Sequence, residues 1–291
     1  MNHWPNISAV AAVALPMPLM SEALLFVYIY SCIRAGVILE TYIAEREIRD
    51  MKPEHADDKG LPSTMALVTS IVTHVLLLLP VLYIVGVAFE SYQFFSWHPI
   101  CMALGAGLLT AEAVYAINGE AYVSKKVRRS SRVTLHWILH AVGIGLLIIG
   151  LVIVIVNKND KGKEHFVSTH GQFGLATFVI VCVVASFGIL ANNTQWLYPK
   201  VRPVLVKVLH AFAGITATIL LIATVINGTY SKWWTNIGAS ETGRDLLFAS
   251  LFIAGFLVLV KPVIGAIARS RVLAKPSPAS ATRQTVESQQ T

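Results

Sequence analysis

Four of the nine histidines in this chain of 291 residues stand near the start of apolar segments that follow one another along the sequence. They come at intervals of 34 to 40 residues. Imidazole is the commonest metal ligand in proteins and exchanges protons near neutral pH, so a regular series of histidines points to cofactor binding or proton handling. The four residues are His98 in SWHP, His136 in TLHWILH, His170 in STHGQFG and His210 in VLHAFAG.

The segments that carry these histidines are long enough to cross a membrane. Hydrophobic residues make up 55% of the chain, charged residues only 13%, and the mean hydropathy is +0.64, a composition that excludes an ordinary soluble domain. We therefore predict an all-α, multi-pass membrane bundle with six transmembrane helices, each near the roughly 20 residues that a span requires. The six apolar runs occupy about 65–89, 98–117, 133–156, 170–191, 204–226 and 246–267.

The N-terminal region leaves two structures open. Residues 9–33 are apolar but contain Pro16, Pro18 and Glu22, so both an additional transmembrane helix and an interfacial helix are compatible with the sequence. The end of the chain is rich in Ser, Thr and Gln, which is typical of a disordered tail. We predict four regions: an apolar N-terminal segment at 1–40, a charged cytoplasmic linker at 41–63, a membrane domain at 64–268 and a disordered cytoplasmic tail at 269–291.

Lys and Arg are concentrated on one side of the predicted bundle. The loops at 118–132 and 192–207, with the linker and the tail, hold 16 of them, whereas the loops at 157–169 and 227–245 hold five. Because positively charged loops are retained in the cytoplasm, we expect the linker and the C-terminus to be cytoplasmic. This asymmetry also accounts for the net charge of +7 without a nucleic-acid partner.

Alternating helix directions place the four histidines at two depths. His98 and His170 start their helices at the lumenal or exterior face, and His136 and His210 start theirs at the cytoplasmic face. Two facing neutral imidazoles can ligate one iron from opposite sides of a porphyrin, and the bond to iron satisfies a polar group that lipid cannot. The sequence therefore predicts two non-covalent b-type haems, with the four histidines as cofactor-binding residues.

Two further histidines lie inside the predicted spans. His140 comes one turn after His136 and is an alternative ligand at the same site, while His74 lies in the middle of the first span. We interpret both as hydrogen-bonding or proton-handling residues. His3, His55 and His165 fall in polar segments, where an ordinary surface histidine is the simpler interpretation.

Basic residues surround the cytoplasmic histidines. The stretch KKVRRSSR ends shortly before His136, and a lysine lies one turn before His210, so an anionic substrate could bind beside this pair. The same charges could instead only set the topology or contact lipid headgroups. The predicted substrate-binding residues are Lys125, Lys126, Arg129 and Lys207, and the candidates for an acceptor site on the opposite face are Lys163, His165 and Gln172.

The histidine motifs resemble those of the cytochrome b561 family, most closely its short branch of transmembrane reductases. The resemblance rests on SWHP with the following Met102 and Glu112, on HW at 136, on HGQ-G-L at 170 and on LHA--G at 210. It covers about 65–267, whereas residues 1–60 have no clear counterpart and His140 replaces a glutamine of the family.

The resemblance implies a six-helix fold whose four middle helices hold two b-type haems, with His98 paired to His170 and His136 paired to His210 as axial ligands. It implies an ascorbate-dependent transmembrane oxidoreductase, in which cytoplasmic ascorbate donates electrons that reduce monodehydroascorbate or a ferric chelate across the membrane. Such a protein would reside in endomembranes, in the endoplasmic reticulum or vesicles, or in the plasma membrane, and could form a homodimer.

Two other functional classes stay open from the residues alone. A histidine-dependent proton or metal transporter would also place imidazoles in membrane spans, usually with intramembrane carboxylates, for which Glu112 and Glu22 qualify. A non-enzymatic haem-binding membrane protein would keep the ligands without substrate sites. A visible spectrum separates the first class from a cytochrome, and reduction by ascorbate separates the second.

Overall fold

The computed structural model describes residues 63–119, 122 and 124–274 of the chain, and within this part the regular structure is helical. Six of its segments are long and apolar enough to cross a membrane, which confirms the predicted all-α, six-span membrane fold. The six spans are Thr64–Glu90, Phe94–Asn118, Arg129–Asp160, Thr169–Asn192, Pro203–Asn236 and Glu241–Ala274. The helices are α1 (Ser63–Glu90), α2 (Trp97–Met102), α3 (Thr110–Asn118), α4 (Arg129–Asp160), α5 (Thr169–Asn192), α6 (Pro203–Gly228), α7 (Lys232–Asn236) and α8 (Glu241–Ala274).

Local sequence fixes where the histidine-bearing helices begin. The side chain of Ser168 caps α5 by accepting a hydrogen bond from the backbone N–H of Gly171. Helix α6 starts with Pro203 in its first turn, where the missing N–H costs nothing. Helix α3 ends at Gly119, which has a φ of 70° and so allows the chain to leave the helix in the left-handed conformation.

The second span contains a π-helical segment, Ala103–Leu109, between α2 and α3. The backbone N–H of Thr110 donates to the carbonyl of Gly105, five residues earlier. Within this segment the backbone approaches α4 closely, because a Cβ atom at position 105 would lie only 2.7 Å from the carbonyl oxygen of Gly143. Small residues at this crossing therefore set the distance between the helices that carry His98 and His136.

Two buried clusters organise the bundle. The larger joins α1 and α8 to the second span and includes Leu77, Val81, Leu251 and Val258. The smaller, defined here as the central apolar layer, lies among the four helices that carry the regularly spaced histidines, about halfway between their two ends. Its members are Ala106, Leu147, Val181, Ala217 and Leu221.

The structure corrects one predicted boundary. Helix α8 continues to Ala274, so residues 269–274 are helical and do not belong to a disordered tail. The apolar pattern ends near 268, but the sequence has neither proline nor glycine between that point and Pro276, and a helix ends most readily just before a proline. The predictions for 1–40, for most of 41–63 and for 275–291 fall outside the described residues.

Candidate functional site

His98 and His170 meet at one end of the bundle. Their ring centroids are 6.2 Å apart, and the ring planes are inclined by 82°. His98 belongs to α2 and His170 to the first turn of α5. Phe95, in the turn before α2, stacks on His98 with a centroid distance of 5.4 Å.

His136 and His210 meet at the opposite end, with ring centroids 6.5 Å apart and an interplanar angle of 87°. They lie on α4 and α6, so each of the four middle spans contributes one histidine to the two pairs. His140 stands beside this second pair, because its ring centroid lies 4.5 Å from that of His136 in an edge-on arrangement.

The separation of the paired rings fits a shared metal ion. An imidazole nitrogen binds a first-row transition metal at about 2 Å, and two rings on opposite sides of one ion therefore have centroids about 6 Å apart. Both pairs have this spacing, which suits the bis-imidazole ligation of a b-type haem.

Two of the rings are oriented by backbone carbonyls. Nδ1 of His98 lies 2.9 Å from the carbonyl oxygen of Gly150, and Nδ1 of His136 lies 2.9 Å from that of Ala113. A carbonyl only accepts hydrogen bonds, so Nδ1 carries the proton in each ring, and Nε2 presents its lone pair. Such a hydrogen bond fixes both the tautomer and the direction of a ligating histidine.

The other two rings pack against glycines on the facing helix. A Cβ atom at position 228 would lie 3.2 Å from Cε1 of His170, and one at position 188 would lie 3.1 Å from Cε1 of His210. Nδ1 of each of these two rings is buried and, within the described part of the chain, has no hydrogen bond that meets distance and angle criteria, although the backbone of Val184 approaches the ring of His210. A metal bond to such a ring would offset part of the cost of burying it.

A largely apolar cavity surrounds the pair of His98 and His170. Small residues of the second span, α5 and α6 line it, as the space for a flat macrocycle requires. Among the predicted acceptor residues, His165 lines this cavity, whereas Lys163 and Gln172 are not among its lining residues. Lys158 and Phe166 also line it, although the sequence alone did not suggest them as site residues. The small lining residues are Ala103, Ala106, Gly171, Gly174 and Gly228.

The segment next to this cavity is held by specific contacts. Nζ of Lys158 donates to the carbonyl of Glu164 at 2.6 Å, and Nε2 of His165 lies 2.8 Å from Oδ1 of Asn159. Phe166 has a φ of 52°, an uncommon conformation for a bulky residue. These contacts order the segment that carries His165 at the edge of the cavity.

Basic residues lie at the end of the bundle where His136 and His210 meet. Arg129 is exposed, and it lies close enough to Arg132 and Arg269 for electrostatic repulsion. Arg269 in turn lies close enough to His210 to interact with its charged form. No acidic side chain in the described part of the chain forms an ion pair with these three arginines. Among the described residues, the charge of these three arginines is therefore not balanced by an ion pair.

The predicted substrate residues are distributed around this charge. Nζ of Lys126 lies 4.3 Å above the ring of Tyr122 and 3.1 Å from its hydroxyl, and Lys207 is exposed on the first turns of α6. The side chain of Lys125 is outside the described residues. Arg132 ends the basic stretch KKVRRSSR but was not named as a substrate-binding residue, and Arg269 was assigned to a tail from the sequence.

His74 forms a pair with Glu112 between α1 and α3. Nδ1 of His74 lies 2.7 Å from Oε1 of Glu112, and the ring of Tyr115 contacts the imidazole edge-on at a centroid distance of 5.5 Å. The prediction that His74 is a hydrogen-bonding residue is confirmed. Its partner is the intramembrane carboxylate that the sequence had singled out.

Comparisons with known proteins agree with this geometry. The family model for eukaryotic cytochrome b561 matches residues 97–236, the stretch that holds all four paired histidines. The human Transmembrane reductase CYB561D2 is 31% identical over 174 residues, which cover 58% of this chain and 75% of that protein. The human Transmembrane ascorbate-dependent reductase CYB561 is 29% identical over 56% of this chain and 63% of its own. The Probable ascorbate-specific transmembrane electron transporter 2 of Oryza sativa subsp. japonica is 27% identical over 62% and 75%. On these matches, the chain belongs to the cytochrome b561 family.

Proposed function

We propose that the chain carries electrons across a membrane through two b-type haems, one held by His98 and His170 and the other by His136 and His210. The family implies b-type haem binding and transmembrane electron transfer. The observation that supports two haems is the presence of two imidazole pairs, at 6.2 and 6.5 Å, at opposite ends of the same four helices.

The two sites divide the membrane into shorter electron-transfer steps. A hydrocarbon core of about 30 Å is too thick for one efficient step, and a cofactor near each face shortens the distance. A b-type haem at each site would supply the one-electron chemistry of iron. The protein's own part is to orient the ligands through the carbonyls of Gly150 and Ala113 and to keep the central apolar layer between the sites dry.

Ascorbate is the electron donor in this proposal, and it binds at the basic end. Ascorbate is an anion near neutral pH, and uncompensated positive charge attracts it and raises its local concentration. Two relatives carry ascorbate in their names. We assign the donor surface to Lys125, Lys126, Arg129 and Lys207, together with Arg132 and Arg269.

We assign the acceptor to the edge of the cavity that surrounds His98 and His170, where the segment carrying His165 lies. Lys158 and His165 line this cavity and would favour a small anionic acceptor such as monodehydroascorbate or a ferric chelate. The Lys and Arg distribution supports a donor surface and a C-terminus in the cytoplasm, with the acceptor on the side of a lumen or the cell exterior. Electrons would then move from the cytoplasm outward.

A spectrum of the purified protein and its haem stoichiometry test the core of this proposal. We expect a b-type difference spectrum on reduction and two haems per chain by pyridine haemochrome analysis. One haem per chain, or none in folded protein, would contradict it. Ascorbate supplied to the basic side of oriented vesicles should reduce both haems and then an acceptor enclosed on the other side.

A further inference from the structure

The pair of His74 and Glu112 has no part in the electron path proposed above, yet it places two titratable groups inside the membrane domain. The two side chains are partly buried, with 40% and 19% of their surface exposed in the isolated chain. Ionisable residues within spans are costly and commonly take part in proton movement. Glu112 provides a carboxylate and His74 an imidazole, two groups that can each bind a proton.

The position of Glu112 links the pair to one haem site. Its neighbour Ala113 provides the carbonyl that accepts the hydrogen bond from Nδ1 of His136. Glu112 is thus one residue along the backbone from the group that orients His136, so a change of charge at the site of His136 and His210 acts electrostatically on its carboxylate. At an effective dielectric of about 20, unit charges roughly 10 Å apart change each other's equilibria by about tenfold.

Resting on the proposed function, we propose that the pair of His74 and Glu112 binds one proton when one electron enters the site of His136 and His210. The electron comes from ascorbate, and the proton comes from the water at the basic end of the bundle. The electron adds one negative charge, and the proton turns a carboxylate beside a neutral imidazole into a pair without net charge. Proton uptake then offsets part of the added charge, which lowers the cost of an unbalanced charge in lipid.

The surroundings of the pair favour proton entry from the basic end. Ser70 lies about one turn before His74 on α1, and its buried hydroxyl accepts a hydrogen bond from the backbone N–H of Tyr122, in the loop that precedes α4. A polar contact therefore connects the loop to the level of the pair.

Other titratable groups near the pair are few in the described residues. Tyr115 contacts His74 from α3, and His136 with its neighbour His140 approaches from α4. Helix α8 packs on α1 with Ser250 donating to the carbonyl of Leu76, so its residues opposite His74 are apolar ones. Lys261, on the same helix, lies more than two turns beyond that point.

The test is the pH dependence of haem reduction in the purified holoprotein, followed by spectroelectrochemical titration. In the parent, we expect the reduction equilibrium constant of one haem to change several-fold for each tenfold change in proton concentration. Glu112→Gln and His74→Gln retain most of the side-chain volume and should reduce this dependence strongly. Ser250→Ala, which removes another hydrogen bond of α1 and leaves every titratable group in place, should keep it. A pH indicator should report proton uptake on dithionite reduction in the parent and less uptake in the two pair variants.

The outcomes of these measurements separate the inference about His74 and Glu112 from its alternatives. A parent protein with both haems and no pH dependence would overturn the inference, as would pair variants that keep the full dependence. If one substitution prevents haem binding, the other carries the test, and loss of haem from both would assign the pair a structural role instead. Absence of haem from the parent would refute the proposed function itself, which distinguishes the two failures.

Discussion

The two histidine pairs share one construction but have different surroundings. In each pair, one ring donates a hydrogen bond to a carbonyl across the interface between the second span and α4, and the other ring packs on a glycine across the interface between α5 and α6. The pair of His98 and His170 adjoins an apolar cavity, whereas Arg269 and His140 lie beside the pair of His136 and His210. The carbonyl and glycine contacts that both pairs share suit the binding of a cofactor. The cavity at one pair and the cationic and imidazole neighbours at the other suit two different reaction partners.

The largest expected effect comes from removing one ring of each pair. His98→Ala and His170→Ala should each lose the same haem, and His136→Ala and His210→Ala should each lose the other, because an axial site with one ligand holds haem poorly. Haem content per chain should fall by about half in every variant. Pyridine haemochrome analysis gives the content, and the reduced-minus-oxidised spectrum shows which component remains.

The pairing itself is open to refutation by the same spectra. If His98→Ala and His136→Ala removed the same spectral component, the spatial pairs would not be the ligand pairs. Ser250→Ala serves as the control, because it removes a hydrogen bond between α8 and α1 that belongs to neither site. This variant should retain both haems.

The glycines of α5 and α6 give the next largest effect. Gly228→Val should weaken the site of His170, and Gly188→Val that of His210, because a Cβ atom already lies within 3.2 Å of each ring and a branched side chain needs more room. We expect the affected haem to be lost or bound several-fold more weakly, while the other site stays filled. Titration of haem into the apoprotein measures the affinity of each site.

A glycine outside both sites provides the matched control. A Cβ atom at Gly86 meets nothing within 4 Å, so Gly86→Val should leave both haem affinities unchanged. Equal weakening of both sites in Gly228→Val would show that the substitution disturbs the bundle as a whole, and the two sites would then not be independently built.

Removing the lysines of the donor surface should have a smaller effect. Combined replacement of Lys125, Lys126 and Lys207 by Gln should slow reduction by ascorbate several-fold at low salt, with a smaller difference at high salt, because screening already weakens the attraction. Haem content and reduction by dithionite should stay at the parental level, since none of the three is proposed as a ligand. Stopped-flow spectroscopy at several ionic strengths provides the measurement.

Lys232→Gln is the control, because it removes a lysine from α7, at the other end of the bundle. A triple variant that accepts electrons from ascorbate at the parental rate would show that these lysines serve topology only. Arg132→Gln and Arg269→Gln would then become the decisive substitutions, since both arginines are half-buried whereas Lys126 and Lys207 are exposed.

The depth of each histidine in the membrane was predictable from the sequence, whereas the groups that contact it on neighbouring helices were not. The apolar runs place each histidine at a known distance from a helix end, and alternating directions then give the pairs that the structure brings together. The carbonyls of Gly150 and Ala113 and the glycines at 188 and 228 depend on how each helix is rotated about its axis, which the uniformly apolar spans do not encode. For the same reason the sequence singled out His74 and Glu112 separately but could not pair them.

Arg269 shows a second limit of sequence reasoning. A boundary drawn where hydrophobicity falls assigned it to a tail, although the helix continues to Ala274 and brings it close to His210. Hydropathy reports the thickness of the membrane, while the length of a helix depends on where a residue breaks it. A boundary drawn from hydropathy therefore misses basic helix ends that extend beyond the membrane. An anionic substrate would bind at such helix ends.

The smallest expected effect concerns His140, the residue that distinguishes the two sites most directly. Its ring lies 4.5 Å from that of His136, but the hydrogen bond from His136 to Ala113 does not depend on it. His140→Gln should therefore retain both haems and shift the reduction equilibrium of one component by a fewfold at most, because a polar neighbour is replaced by another. The shifted component should be the one that His136→Ala removes. Loss of that haem from His140→Gln, with retention in His136→Ala, would instead identify His140 as the ligand and give the two ends of the bundle different constructions.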